Sequence, residues 1–466
     1  MTEKTVIAWP SAVSASVTDE NPSQKPEVDK DSSFLDQLAV QQRVSERLSK
    51  AFGRLWSELE NLRSEARWQD VLDLIHPAEE CFPELVEAGF GPALWGEAAF
   101  ALCQLKKHDA ALDLARRCVQ ECPDDYQAHA RVAYIAYESL YAAKNGEVLL
   151  HPEERKARLE LAHKHFAKAR ELRPDNVTQF YRQGMLYKKI QNKPDRALPL
   201  FRSAVGNWDA LDEEQRKSRH QERKNAIKSL YQWASCLLEL GDAKGALNLL
   251  TRCLQEDSAS QYLSLVHKYF ALGKVHYAMG DLKEAEKALD FASSQADPAN
   301  HDYVFELRAR VALAQGKVEE AEKTLSRIPA HRKRPYVLWT EADVLVAQGR
   351  LDQAKGLLKK AAEKDRRGRH KALVRLAKIG FRQNALEKCL QWAREASAFT
   401  RSTYQNPHDE ALFWESAALY RLGRYEEAWQ VAEELSAFRP VYPHLKELKK
   451  RILQEMKPKN ESSQGE

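Results

Sequence analysis

Catalytic signatures are missing from this sequence. It holds no phosphate-binding glycine loop, dinucleotide fingerprint, nucleophile elbow or zinc-protease helix motif. We therefore expect a protein that is not an enzyme and needs no cofactor. Its 14 histidines are scattered. His163 and His165 are too close in sequence to share a helical face, and His76 lies beside Pro77, so these read as packing or surface residues. The seven cysteines (Cys81, Cys103, Cys118, Cys122, Cys236, Cys253 and Cys389) are odd in number and lack the close pairing of a zinc ribbon or redox motif. Cys118 and Cys122 are one helical turn apart, but no second His or Cys pair stands nearby to complete four metal ligands. No disulfide and no metal site is expected. Runs of about 18 apolar residues are absent, as is a basic start followed by an apolar core at the N-terminus. The expectation is a cytoplasmic protein without a membrane span.

Interdomain linkers are scarce too. Glycine and proline number 18 each, and no long middle stretch reads as a linker, yet 466 residues exceed what one core usually supports. A repeat array resolves the conflict, and 43% apolar with 30% charged residues suits the large wetted surface of such an array. Net charge is +4, from 72 basic and 68 acidic residues, so the global field selects no partner.

Five segments carry a period: Gly241-Asp-Ala-Lys-Gly-Ala246, Gly280-Asp-Leu-Lys-Glu-Ala285, Gly316-Lys-Val-Glu-Glu-Ala321, Gly349-Arg-Leu-Asp-Gln-Ala354 and Gly423-Arg-Tyr-Glu-Glu-Ala428. In each, Gly leads Ala by five positions. Glycine can end one helix in a left-handed conformation and the small alanine lets the next helix pack closely. The unit is a helical hairpin.

These segments resemble the tetratricopeptide repeat, with its period of about 34 residues. In that frame the key small position falls on Val71, Ala111, Ala162, Ala197, Ala246, Ala285, Ala321, Ala354, Cys389 and Ala428. Terminating prolines match Pro83, Pro123, Pro174 and Pro440. Phe166 and Phe201 match the later packing position, and Trp95, Gly184 and Gly273 match first-helix positions. Two long gaps hold insertions, Lys144 to Glu154 and Trp208 to Lys224. The resemblance implies an all-α, right-handed superhelix of about ten hairpins over residues 34–440. A capping helix is expected at 441–456, on the spacing of Leu445, Leu448, Ile452 and Met456, with disordered tails at 1–33 and 457–466.

In that family the first helix of each hairpin lines the concave face. Carrying those positions over gives a lining with Tyr181, Arg182, Lys189, Tyr231, Phe270, Lys274, Tyr277, Tyr303, Arg310, Tyr336, Trp339, Lys371, Arg375, Lys378, Arg382 and Trp414. Rings beside cations suit an extended, acidic, apolar-anchored segment of a protein partner. The alternatives are that the rings pack between hairpins and the cations are merely solvated. The family's carboxylate clamp for chaperone tails is matched only by Lys371 and Arg375, because Thr340, Glu306 and Arg310 stand where its other donors belong. The run Arg366 to Arg382 has seven cations and no acid, which also admits RNA or DNA as partner.

Overall fold

The computed structural model describes residues 31–456, so the tails expected at 1–33 and 457–466 lie outside the described residues except for Asp31–Ser33, which open the first helix. Every regular element among the described residues is a helix, with no strand among them, which agrees with the expected all-α class. No helix among them is long and apolar enough to cross a membrane. The chain divides into two compact units, the first ending at Leu263 and the second starting at Ser264.

The first unit holds five hairpins among the described residues. Their helices are Asp31–Ser64 with Trp68–Ile75, Gly91–Gln104 with His108–Glu121, and Tyr126–Asn145 with Pro152–Leu172. Val177–Met185, continued by a wider turn to Ile190, pairs with Pro194–Asp209, and His220–Glu239 with Ala243–Glu256. The two insertions take different forms. The first carries Tyr126–Asn145 on to a left-handed Gly146 and a loop before Pro152. The second adds the short helix Glu213–Ser218, closed by Asp212 and Gln215, whose side chains each accept the other's backbone N–H.

The second unit holds five more: Leu265–Met279 with Leu282–Ser294, Asp302–Ala314 with Val318–Ser326, Pro335–Ala347 with Leu351–Lys364, Arg369–Arg382 with Leu386–Tyr404, and Asp409–Arg421 with Tyr425–Phe438. A last helix, Leu445–Met456, buries Leu445, Leu448 and Ile452 against this final hairpin, while Met456 stays exposed.

One backbone device repeats. Gly241, Gly280, Gly316, Gly349 and Gly423 all have φ between +76° and +93°. Where the hairpin lacks glycine, Ala66, Lys106, Asn192 and Asn384 take φ of +55° to +64°, and each also stands five residues before its key small position. The left-handed residue lets the next N–H close a six-residue turn, as Lys107 N to Leu102 O at 2.9 Å and Arg350 N to Leu345 O at 2.9 Å. All ten key positions, Val71 to Ala428, are at most 1% exposed. Phe166 and Phe201 are fully buried. Gly184 is needed for close approach, since a Cβ there would lie 2.6 Å from the Phe201 ring.

Candidate partner-binding surfaces

On the second unit the expected lining residues lie on the first helices, where acids of the same or a neighbouring first helix pair with several of them. Arg375 Nε sits 3.1 Å from both carboxylate oxygens of Asp343, and Lys378 pairs with Glu410. Arg310 Nε lies 2.8 Å from Glu306, which also accepts a 2.6 Å bond from Thr340 Oγ1. Burial pushes the carboxyls of Glu306 and Asp343 above the usual range even though Arg310 and Arg375 pull the other way. Burial also opposes ionisation of Asp302, but hydrogen bonds from Arg334 and Tyr336 hold it below its ordinary value. Charge-assisted bonds of this kind fix the helices in register.

Several rings pack inward. Trp339 is buried, and Tyr303 meets Phe270 edge-on at 4.7 Å, as Trp414 meets Phe381 at 5.2 Å. Tyr277 is half-buried under the Arg310 guanidinium at 5.6 Å. Lys274, Lys371 and Arg382 remain exposed, with Lys371 Nζ 5.3 Å over the Trp339 ring. Between Pro335–Ala347 and Arg369–Arg382 the surface opens into a slot of about 280 Å³. Val346, Ala347, Leu358 and Ile379 form its apolar walls, with Arg375, Lys378 and Arg382 beside them.

In the first unit, Tyr181 and Tyr231 are half-buried, Lys189 is exposed, and Arg182 is buried with its guanidinium 4.1 Å over the Tyr134 ring. Tyr134, Tyr137 and Tyr141 were not expected in the lining. They recur three and four residues apart on one face of Tyr126–Asn145, a spacing visible in the sequence. With Tyr181, Arg182, Lys228 and Tyr262 they surround a depression of about 630 Å³. Burial raises the hydroxyls of Tyr134 and Tyr137 above their usual range.

Also unanticipated is a buried triad on three successive first helices. Arg63 Nη1 lies 2.9 Å from Glu97, and Arg131 Nη2 lies 3.3 Å from the other oxygen of the same carboxylate. Each step is 34 residues, the repeat period itself. Gly96 leaves room for Arg131, whose Nη1 occupies the place a Cβ would take.

Residues 213–388 match the tetratricopeptide repeat-like domain family. The hairpins on either side are built on the same plan of left-handed turn and buried small residue. No curated protein matches the chain. Among solved structures, yeast Tom70 shares 13% identity over 87% of this chain and 89% of that one, with a TM-score of 0.45. The human IFIT1 dimer with m7Gppp-AAAA shares 15% over 78% and 71%, with a TM-score of 0.42. A repeat protein from Parabacteroides merdae shares 13% over 59% and 94%, with a TM-score of 0.42.

Glu306, held by Thr340 and Arg310, places a carboxylate where the chaperone-tail clamp needs donors, and like charges repel. The basic run is also less basic than its sequence. Neighbouring helices pair Arg369 with Glu395, Arg375 with Asp343 and Lys378 with Glu410. Arg366, Arg367, Lys371 and Arg382 keep exposed charge.

Proposed function

We propose that this protein is a non-catalytic scaffold whose first-helix faces hold an extended segment of a partner protein, acidic and anchored by apolar side chains. The slot at Val346, Leu358 and Ile379 carries the reading. An apolar side chain can fill it while carboxylates on either side reach Arg382 and Lys371, the exposed cations nearby. Desolvated apolar anchors ringed by charge supply affinity and register together. A cytoplasmic setting belongs to the same proposal.

A labelled peptide with leucine or isoleucine between acidic residues tests it by fluorescence anisotropy. Lys371→Glu with Arg382→Glu is expected to weaken binding at least roughly tenfold, two exposed charge contacts being worth about 1 kcal/mol each. A charge-reversed peptide should not bind. Equal binding of both peptides, or indifference to the double variant, counts against the groove.

Nucleic acid is the second reading, favoured by the four exposed cations between Arg366 and Arg382 that no acid pairs among the described residues. It predicts a gel shift with single-stranded RNA or DNA that weakens steeply with salt. Absence of retention at low salt removes it.

A further inference from the structure

The first unit contains a second, smaller cavity that the partner groove does not explain. It encloses about 140 Å³, well above the ~15 Å³ that one water needs. Tyr126, Arg131, Arg173, Arg182, Arg219 and Glu222 are among the residues around it, and it shares Tyr134 and Arg182 with the tyrosine-lined depression.

Its charges do not balance. Glu97 serves both Arg63 and Arg131, and Asp175 serves both Arg173 (3.6 Å) and Arg219 (2.6 Å). Arg182 has neither kind of acid. It is 8% exposed, and among the described residues it forms no ion pair and donates no side-chain hydrogen bond, its one partner being the Tyr134 ring. Four guanidiniums line the cavity, Arg131, Arg173, Arg182 and Arg219, and Glu97, Asp175 and Glu222 are the three carboxylates beside them, which leaves the charge of Arg182 in excess. The outer depression adds Lys224, Lys228 and Glu138.

Two more polar groups stand unanswered at the same cavity. Gln179, 5% exposed, has a buried Oε1 with no partner. Glu222 accepts a 3.0 Å bond from Asn176 on Oε1, while its buried Oε2 has none. Burying a charge without a counter-charge is costly, and a guanidinium keeps its charge at any physiological pH. An oxyanion would neutralise that charge and engage the forked donors of Arg182.

We propose that this cavity is a binding site for the phosphoryl group of a small phosphate monoester, with Arg182 as its anchor and the outer tyrosines seating the group that carries the phosphate. Burial raises the Glu222 carboxyl above its ordinary pKa, although Arg173 and Arg219 pull the other way.

Calorimetry on the full chain with phenyl phosphate, inorganic phosphate and phenol tests the site. Phenyl phosphate is expected to bind saturably and more tightly than inorganic phosphate, and phenol not at all. Arg182→Gln should weaken phenyl phosphate roughly 10- to 100-fold, the range of a lost charged hydrogen bond. Its melting temperature without ligand should equal or exceed that of the wild type, because an unbalanced buried charge is gone. Failure of the wild type to bind phenyl phosphate, or wild-type affinity in Arg182→Gln, overturns the proposal. Equal affinity for phenyl phosphate and inorganic phosphate overturns the ester and assigns the cavity to free phosphate. Because the slot of the partner groove lies in the second unit, Lys371→Glu with Arg382→Glu should leave phenyl phosphate binding unchanged.

Discussion

Single residues set the hairpin turns through their backbone. A side-chain-bearing residue in the left-handed region costs about 1–2 kcal/mol, which glycine avoids. Gly349→Ala is therefore expected to destabilise by about 1 kcal/mol in urea unfolding, since φ is +77° and nothing lies within 4 Å of an added Cβ. Ala66→Gly, at φ +56°, should stabilise by up to about 1 kcal/mol. The same sign from both substitutions would contradict the turn account. The five glycine turns were legible in the sequence because glycine advertises the conformation. Ala66 and Lys106 were not, because nothing in their chemistry favours it. Histidines form a second residue-scale case. Burial, helped by His129, Lys106 and His408 respectively, lowers His165, His108 and His370 to about 4. Each stays neutral when folded but takes a proton near 6.5 when unfolded. The stability each contributes is complete above about pH 6.5 and is lost as pH falls toward about 4. Glu306, Asp343 and Glu222 are raised and act in the opposite sense as pH rises, so the check must be residue by residue. Imidazole carbon shifts followed by NMR, assigned with single His→Gln variants, should show these three titrating below pH 5. Midpoints near 6.5 would contradict their burial.

Helices are tied to one another by pairs that the sequence shows only when read at the repeat period. Arg63, Glu97 and Arg131 stand 34 residues apart on three successive first helices, so one buried carboxylate bonds all three. Removing one partner of such a group strands buried charge. Glu97→Gln is expected to cost roughly 3–5 kcal/mol by urea unfolding. A cost under about 1 kcal/mol would show that water already solvates the triad. The basic run Arg366 to Arg382 teaches the converse. Its helix was legible from sequence, but its free charge was not, because Asp343, Glu395 and Glu410 arrive from other helices. The lining had the same limit. Position in the repeat placed Lys371 and Arg382 on the surface, yet could not reveal that Trp339 is buried or that Tyr336 is bonded to Asp302.

At the scale of the molecule, stability in stacked hairpins is local, each depending on its neighbours. Hydrogen exchange of Glu97→Gln should therefore lose protection within residues 44–263 and keep it within 264–456. The scaffold reading rests on the first-helix face of the second unit. It is tested most directly by photo-crosslinking a peptide that the protein enriches from a random display library. A photoreactive residue is placed either at Lys371, on a first helix, or at Lys359, on the exposed side of a second helix. The expected result is an acidic, apolar-anchored peptide captured from position 371 and not from 359; capture from 359 alone, or a library that enriches no acidic sequence, would contradict the groove as the binding surface.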